Sequence, residues 1–188
     1  MALCHSDCSI DLPGAYSNAC TVHEKEGGIH RIGFIKCDYE FTDITDDSEW
    51  NTAIDNGDAV WSGLLKGSKP RGSFVKRRVD SCSPEQVIGS EKSITFEDYN
   101  SDAVDGGTGE YDFWNTILEN VRSYRLVFLT CDGYLYGPID KFTIEVDEEI
   151  GESQNDSRFI GGTIYWQSKT MEVPTYVGDL DISQSLSE

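Results

Sequence analysis

Apolar positions along this chain gather in short runs, some alternating and some continuous, broken by clusters of turn residues. At two places the spacing becomes helical. Over 112–123, Phe113, Ile117 and Val121 recur every four residues, with Trp114 and Leu118 on the adjoining stripe. That spacing predicts an amphipathic helix with a broad apolar face for a sheet, and Asp112 as its cap. A shorter helix of about two turns is predicted after Asp46-Asp47-Ser48, where Trp50, Ala53 and Ile54 share one face. Its first-turn carboxylates suit the helix dipole, and Asn56-Gly57 supplies the stop.

The remaining runs predict strands. They cover His30–Glu40, Ala59–Leu65, Ser73–Val79, Ser93–Glu97, Leu126–Cys131, Tyr134–Tyr136, Phe142–Val146 and Phe159–Gln167. Asp132-Gly133 reads as a hairpin turn. Lys66–Gly72 and Asn100–Gly109 read as loops, because they are rich in Gly, Ser, Pro or Asp and lack apolar periodicity. The expected organisation is an irregular N-terminal arm over 1–28, a domain over 29–170 and a C-terminal tail over 171–188. Six to eight strands with one good helix predict a mainly β fold: a mostly antiparallel sandwich or barrel with one flanking amphipathic helix and one short helix.

Charge changes this picture more than any motif does. The chain carries 34 Asp+Glu against 15 Lys+Arg, a net charge of −19. A surface this acidic disfavours nucleic-acid binding, which needs clustered cations. A hydrophobic fraction of 38% is too high for a wholly disordered acidic chain. No apolar run approaches the roughly 20 residues that span a bilayer, so no membrane partner is expected. The opening Met-Ala-Leu-Cys-His-Ser-Asp-Cys has neither a basic nor an apolar region of the kind a secretory signal needs.

The charge is also unevenly laid out. From Asp38 to Asp58 there are eight acids and no Lys or Arg, and a second acidic stretch runs from Glu145 to Glu152. Between them, Lys66, Lys69, Arg71, Lys76, Arg77 and Arg78 hold two-fifths of all the basic residues, with no acid among them. One reading is a solvated hairpin that balances its own acidic neighbours. Another is an arm that docks on the acidic face of a neighbouring copy, since association of a strongly acidic chain needs a local reversal of sign. A nucleic-acid patch ranks third, because Phe74 is its only aromatic platform.

Signs of chemistry are sparse. There is no G-x-S-x-G, Walker, H-E-x-x-H or G-x-G-x-x-G pattern in the context each requires. His5, His23 and His30 all fall in the first 30 residues, so a Cys–His or Ser–His mechanism would have to be built from the irregular arm. The expectation is a protein that is not an enzyme and needs no cofactor. Cys4, Cys8, Cys20 and His23 form the one metal-like group, and their spacing fits a tetrahedral site only loosely. Cys37 and Cys131 sit in apolar runs and are expected to be buried thiols. Trp50, Trp61 and Trp114 are expected in the core, whereas Tyr176 is the better candidate for an exposed contact. An aromatic surface of this kind also suits a carbohydrate- or protein-binding β-module.

The order of these features resembles a family. A cysteine-bearing lead, a β-rich middle with a basic segment, and an amphipathic helix feeding Arg125-Leu-Val-Phe-Leu-Thr-Cys-Asp-Gly-Tyr-Leu-Tyr-Gly is similar to virion proteins of tailed phages infecting gut Bacteroidales. The resemblance is to the tail-tube and tail-ring class, and the segment from Phe113 to Tyr136 carries most of it. It implies a β-sandwich subunit of the virion tail, assembled in the host cytoplasm, whose sheets join side by side into a ring that meets adjacent tail or connector proteins. It further implies that Lys66–Arg78 is a long loop reaching a neighbouring subunit. Such a ring would pass DNA in transit without binding it, so its lumen should be acidic. The candidates are Asp43, Asp46, Asp47 and Glu49, or Glu145, Asp147, Glu148 and Glu149. A capsid-associated, decoration or head–tail connector protein is the alternative within the same class.

Overall fold

A computed structural model describes residues 27–78, 85–99, 109–150, 158–178 and 180. Among these residues are ten strands, all paired antiparallel in one sheet, and two α-helices. The chain runs β1 (Ile29–Lys36), α1 (Asp47–Asp55), β2 (Ala59–Trp61), β3 (Lys66–Ser68), β4 (Ser73–Arg77) and β5 (Gln86–Asp98). It continues through α2 (Gly109–Asn120), β6 (Tyr124–Thr130), β7 (Tyr134–Ile139), β8 (Phe142–Glu149), β9 (Phe159–Ser168) and β10 (Thr175–Tyr176). The mainly β, antiparallel class expected from the sequence is the class observed, with more strands than the six to eight predicted.

The strand order is β10-β7-β6-β1-β3-β5-β9-β8, with β2 also on β1 and β4 also on β5. β1 and β8 lie four places apart, which in a flat sheet would separate them by roughly 19 Å. Yet the rings of Phe34 on β1 and Phe142 on β8 are 5.9 Å apart, and Phe128 on β6 lies 6.1 Å from Trp166 on β9. The sheet therefore folds over at the three-residue β3, which meets β1 through a single pair, Ile29 with Gly67. One continuous sheet becomes a two-layered sandwich. Ile32, Phe34, Ile94, Phe96, Leu126, Phe128, Ile164 and Trp166 fill its interior.

α2 lies at the flank of this interior. Trp114 stacks on Phe96 at 4.6 Å, meets Phe34 edge-on at 6.3 Å, and donates from Nε1 to Asp98 at 3.1 Å. Of the four-residue recurrence Ile117 is buried while Phe113 and Val121 are half-buried, and Trp114 of the adjoining stripe is buried with Ile117, each 2% exposed. Asp112 lies inside the helix and does not cap it, because helical turns begin at Gly109.

β1 and β6 are buried on both faces, which explains their continuous apolar runs. Their second face forms an outer core, where Ile35, Val127, Leu129 and Leu135 meet Trp50 and Ala53 of α1 and Trp61 of β2. Gly33 is dictated by this packing. A Cβ there would stand 2.8 Å from the Trp61 ring and from Val127 Cγ2. α1 matches its sequence signals closely: Asp46 caps it by accepting from Ser48 N, and Gly57 follows at φ +70°.

Several expectations are corrected. Cys37 and Cys131 are exposed, because each lies just past a strand end, in a turn, and not in the apolar run beside it. The basic stretch 66–78 is not one long loop. Lys66–Ser68 and Ser73–Arg77 are strands, both paired with β5, which starts seven residues earlier than the alternating pattern indicated. Ala59–Leu65 is strand only as far as Trp61. Residues 100–108 of the predicted loop lie outside the described residues, as do Cys4, Cys8, Cys20 and His23.

Candidate functional site

β8 ends the sheet. It pairs with β9 over its full length, from Phe142 opposite Trp166 to Glu149 opposite Phe159, and no described strand pairs with its other edge. Strand alternation sends Phe142, Ile144 and Val146 inward to the core and Thr143, Glu145, Asp147 and Glu149 outward. Register places Glu97 of β5 in the same outward row as Asp147, across Gly161. This face holds a groove of about 970 Å³ lined by carboxylates, with Lys66 as the one cation among its lining residues. Lys66 Nζ lies 3.0 Å from Glu97 Oε2, and this contact, with the hydroxyl of Tyr99, holds the Glu97 carboxyl below the usual carboxylate range.

Glu148 points the other way. It accepts from Tyr111 at 2.7 Å and from Arg158, and these two donors lower its pKa. It ties α2 and Arg158, just before β9, to β8; it also lines the groove, although it lies on the opposite side of β8 from the outward row.

The other acidic stretch is occupied with local structure. Glu49 accepts from the backbone N–H of Thr42 at 2.6 Å and of Asp43 at 2.8 Å. Asp43 accepts from Thr45, and Asp46 from Ser48, and these bonds hold both carboxyls below their ordinary values. Their work is to shape the turn leading into α1. Among the lumen candidates in this stretch, Asp47 is the one with no such bond among the described residues.

The basic residues form the opposite feature. Among the described strands β4 pairs only with β5, and residues 86 and 87 of β5 lie beyond the reach of β9, whose pairing begins at Ser90. The two strands thus leave the sandwich as a two-stranded ribbon. Phe74 is 59% exposed, Val87 58% and Ile88 44%, so the ribbon carries apolar side chains as well as Lys76 and Arg77. At its far end Arg78 lies 3.5 Å from Glu85. Arg71, Lys76 and Arg77 form no ion pair among the described residues, whereas Lys66 and Lys69 are paired within the chain.

At the root of the ribbon lies an ionic knot that the sequence did not signal. Lys92, 8% exposed at its side chain, donates from Nζ to Glu172 Oε1 at 2.6 Å and to the Thr170 carbonyl at 2.5 Å. Glu172 also accepts from Trp166 Nε1 at 2.9 Å and lies 3.5 Å from Lys69. Burial pushes the Glu172 carboxyl up, but the bonds from Lys92 and Trp166 outweigh it, and the group sits below its ordinary range. Lys92 continues the inward row of Ile94 and Phe96 two residues earlier on β5, and only the fold brings Glu172 to it as a partner.

No protein-family model, curated protein or solved structure matches this chain. Function therefore rests on the surfaces themselves. Among the described residues no three His, Cys, Asp or Glu side chains gather in a metal-binding arrangement, and no helix is long and apolar enough to cross a membrane. Tyr176, expected as an exposed contact, is 64% exposed and meets Tyr134 edge-on at 5.2 Å.

Proposed function

We propose that this protein is a structural subunit that assembles head to tail with copies of itself into a ring or tube, as the resemblance to phage tail proteins implies. One observation carries the reading. Among the described residues, the unpaired strand edges of this sheet include two of opposite charge, acidic β8 at the end of the strand order and basic β4 on its branch from β5. An acidic edge repels its own kind, which disfavours a symmetric β8-to-β8 contact. A basic strand is its natural complement, and a heterologous contact of that kind generates closed rings or open filaments. The exposed Phe74, Val87 and Ile88 add apolar area for the joint to bury.

Side-by-side joining through these edges leaves the outward row of Glu97, Glu145, Asp147 and Glu149 on the face of the continued sheet. A conduit lined by that face repels phosphate and lets DNA pass without adhering. Electron microscopy of the concentrated protein should show annuli or short tubes. Arg77→Glu with Arg78→Glu should abolish them while leaving the circular dichroism of the monomer unchanged. Assembly that persists in this double variant, or a wild-type protein that sediments as a monomer at every salt and protein concentration, overturns the reading.

A further inference from the structure

The C-terminal segment crosses from one layer of the sandwich to the far edge of the other. It leaves β9 at Ser168, passes the half-buried Glu172, and joins the β7 edge as β10. There it makes two strand pairs, Thr175 with Leu135 and Tyr176 with Tyr134. Val177 N donates to the Gly133 carbonyl at 2.9 Å, and Val177 and Leu180 pack on the outer core. Gly133 is held at φ +77° and Gly178 passes so close that a Cβ on Gly133 would stand 2.9 Å from its carbonyl oxygen. The site is therefore shaped for this segment: an open strand edge, two apolar seats and a glycine contact.

The connection to that site differs in character. Glu172 is anchored by Lys92 and Trp166, but on either side of it Met171 is 87% exposed and Val173 86%. Pro174 then leads directly into β10. Two large apolar side chains thus stand in solvent on a short connector, next to a segment that binds by its own self-contained set of contacts.

We infer that the β7 edge and the outer core are an exchange site, which accepts β10, Val177 and Leu180 from a second copy while giving up its own. The exchanged arrangement keeps every contact of the segment, because the second copy presents an identical site. Only the connector changes its path, pivoting after Glu172. Where the two connectors cross, Met171 and Val173 of each copy have partners to cover them. Within one chain the segment enjoys an effective concentration in the millimolar range, so dilute protein keeps its own segment. Protein concentrated past that range loses the bias. The surface takes this chain's own C-terminal segment and does not depend on the basic ribbon.

Wild-type protein of natural isotope content is mixed with an equal amount of ¹⁵N-labelled protein while dilute, then concentrated. Photo-oxidative coupling of adjacent tyrosines follows, and mass spectrometry weighs the Tyr134–Tyr176 linked peptides. Mixed light–heavy pairs should rise with concentration toward half of all such pairs. The same rise is expected in the Arg77→Glu/Arg78→Glu protein, in which ribbon-mediated assembly is disabled. Purely light–light and heavy–heavy pairs at every concentration would overturn the inference. So would the absence of any Tyr134–Tyr176 product, or loss of the mixed pairs in the double variant.

Discussion

Replacing Glu172 with Gln removes one charge from a pair whose side chains are 13% and 8% exposed. The Lys92 ammonium then stays in its buried position with no anion to balance it. Breaking a buried pair on one side costs about 3–5 kcal/mol. Gln keeps an acceptor for Trp166 and Lys92, so the lower end, about 3 kcal/mol, is expected. For a chain of this size each kcal/mol moves the melting midpoint by about 2–4 °C, which gives a fall of roughly 6–12 °C at neutral pH. The sign of the pH dependence follows from the lowered pKa of Glu172. Its stabilisation is fully present above the unfolded carboxylate value of about 4.3 and is lost as pH falls through the lower folded value. The gap between wild type and Glu172→Gln should therefore close on acidification from about pH 5 downward. Adding Lys92→Met to the variant removes the stranded charge and should recover much of the loss. Calorimetry and urea titration across pH measure all three quantities. A midpoint change under about 2 °C at neutral pH, or a gap that stays constant into acid, would refute the argument.

Two further changes test the packing that positions these surfaces. Gly33→Ala forces a methyl group to 2.8 Å from Trp61 and Val127 and should cost about 1–3 kcal/mol by urea titration; a neutral result would show that the outer core yields freely. Asp46→Ala removes the α1 cap and should cost about 1 kcal/mol, with faster amide exchange at the start of α1 and none of that change in β5 or β9.

Local signals in the sequence carried the helices and most strands because they answer to local physics. The α1 cap, its Asn56-Gly57 stop and the apolar face of α2 each depend on residues within a turn or two of one another. Burial of Trp50, Trp61 and Trp114 followed from size and position alone. The candidate site was legible only in part. The opposite charges of 66–78 and 145–149 were visible as composition, but their placement on two separate edges was not. The early half of β5 carries no alternation because Gln86–Glu91 holds no buried residue to impose it. Cys37 and Cys131 were misplaced for a related reason: an apolar run does not mark the residue at which its strand ends.

The class of the fold and the sign of each surface follow from neighbouring residues, since strand alternation, helix spacing and charge are local properties. Which strand edges stay open, which acids cap or shape turns, and the convergence of Lys92, Lys69, Trp166 and Glu172 arise from the folded whole. Those pairings join residues up to 103 positions apart, Lys69 to Glu172, and the folding of one sheet onto itself brings them together. A contact of that range depends on the free energy of the whole packed core, which no local stretch of sequence encodes.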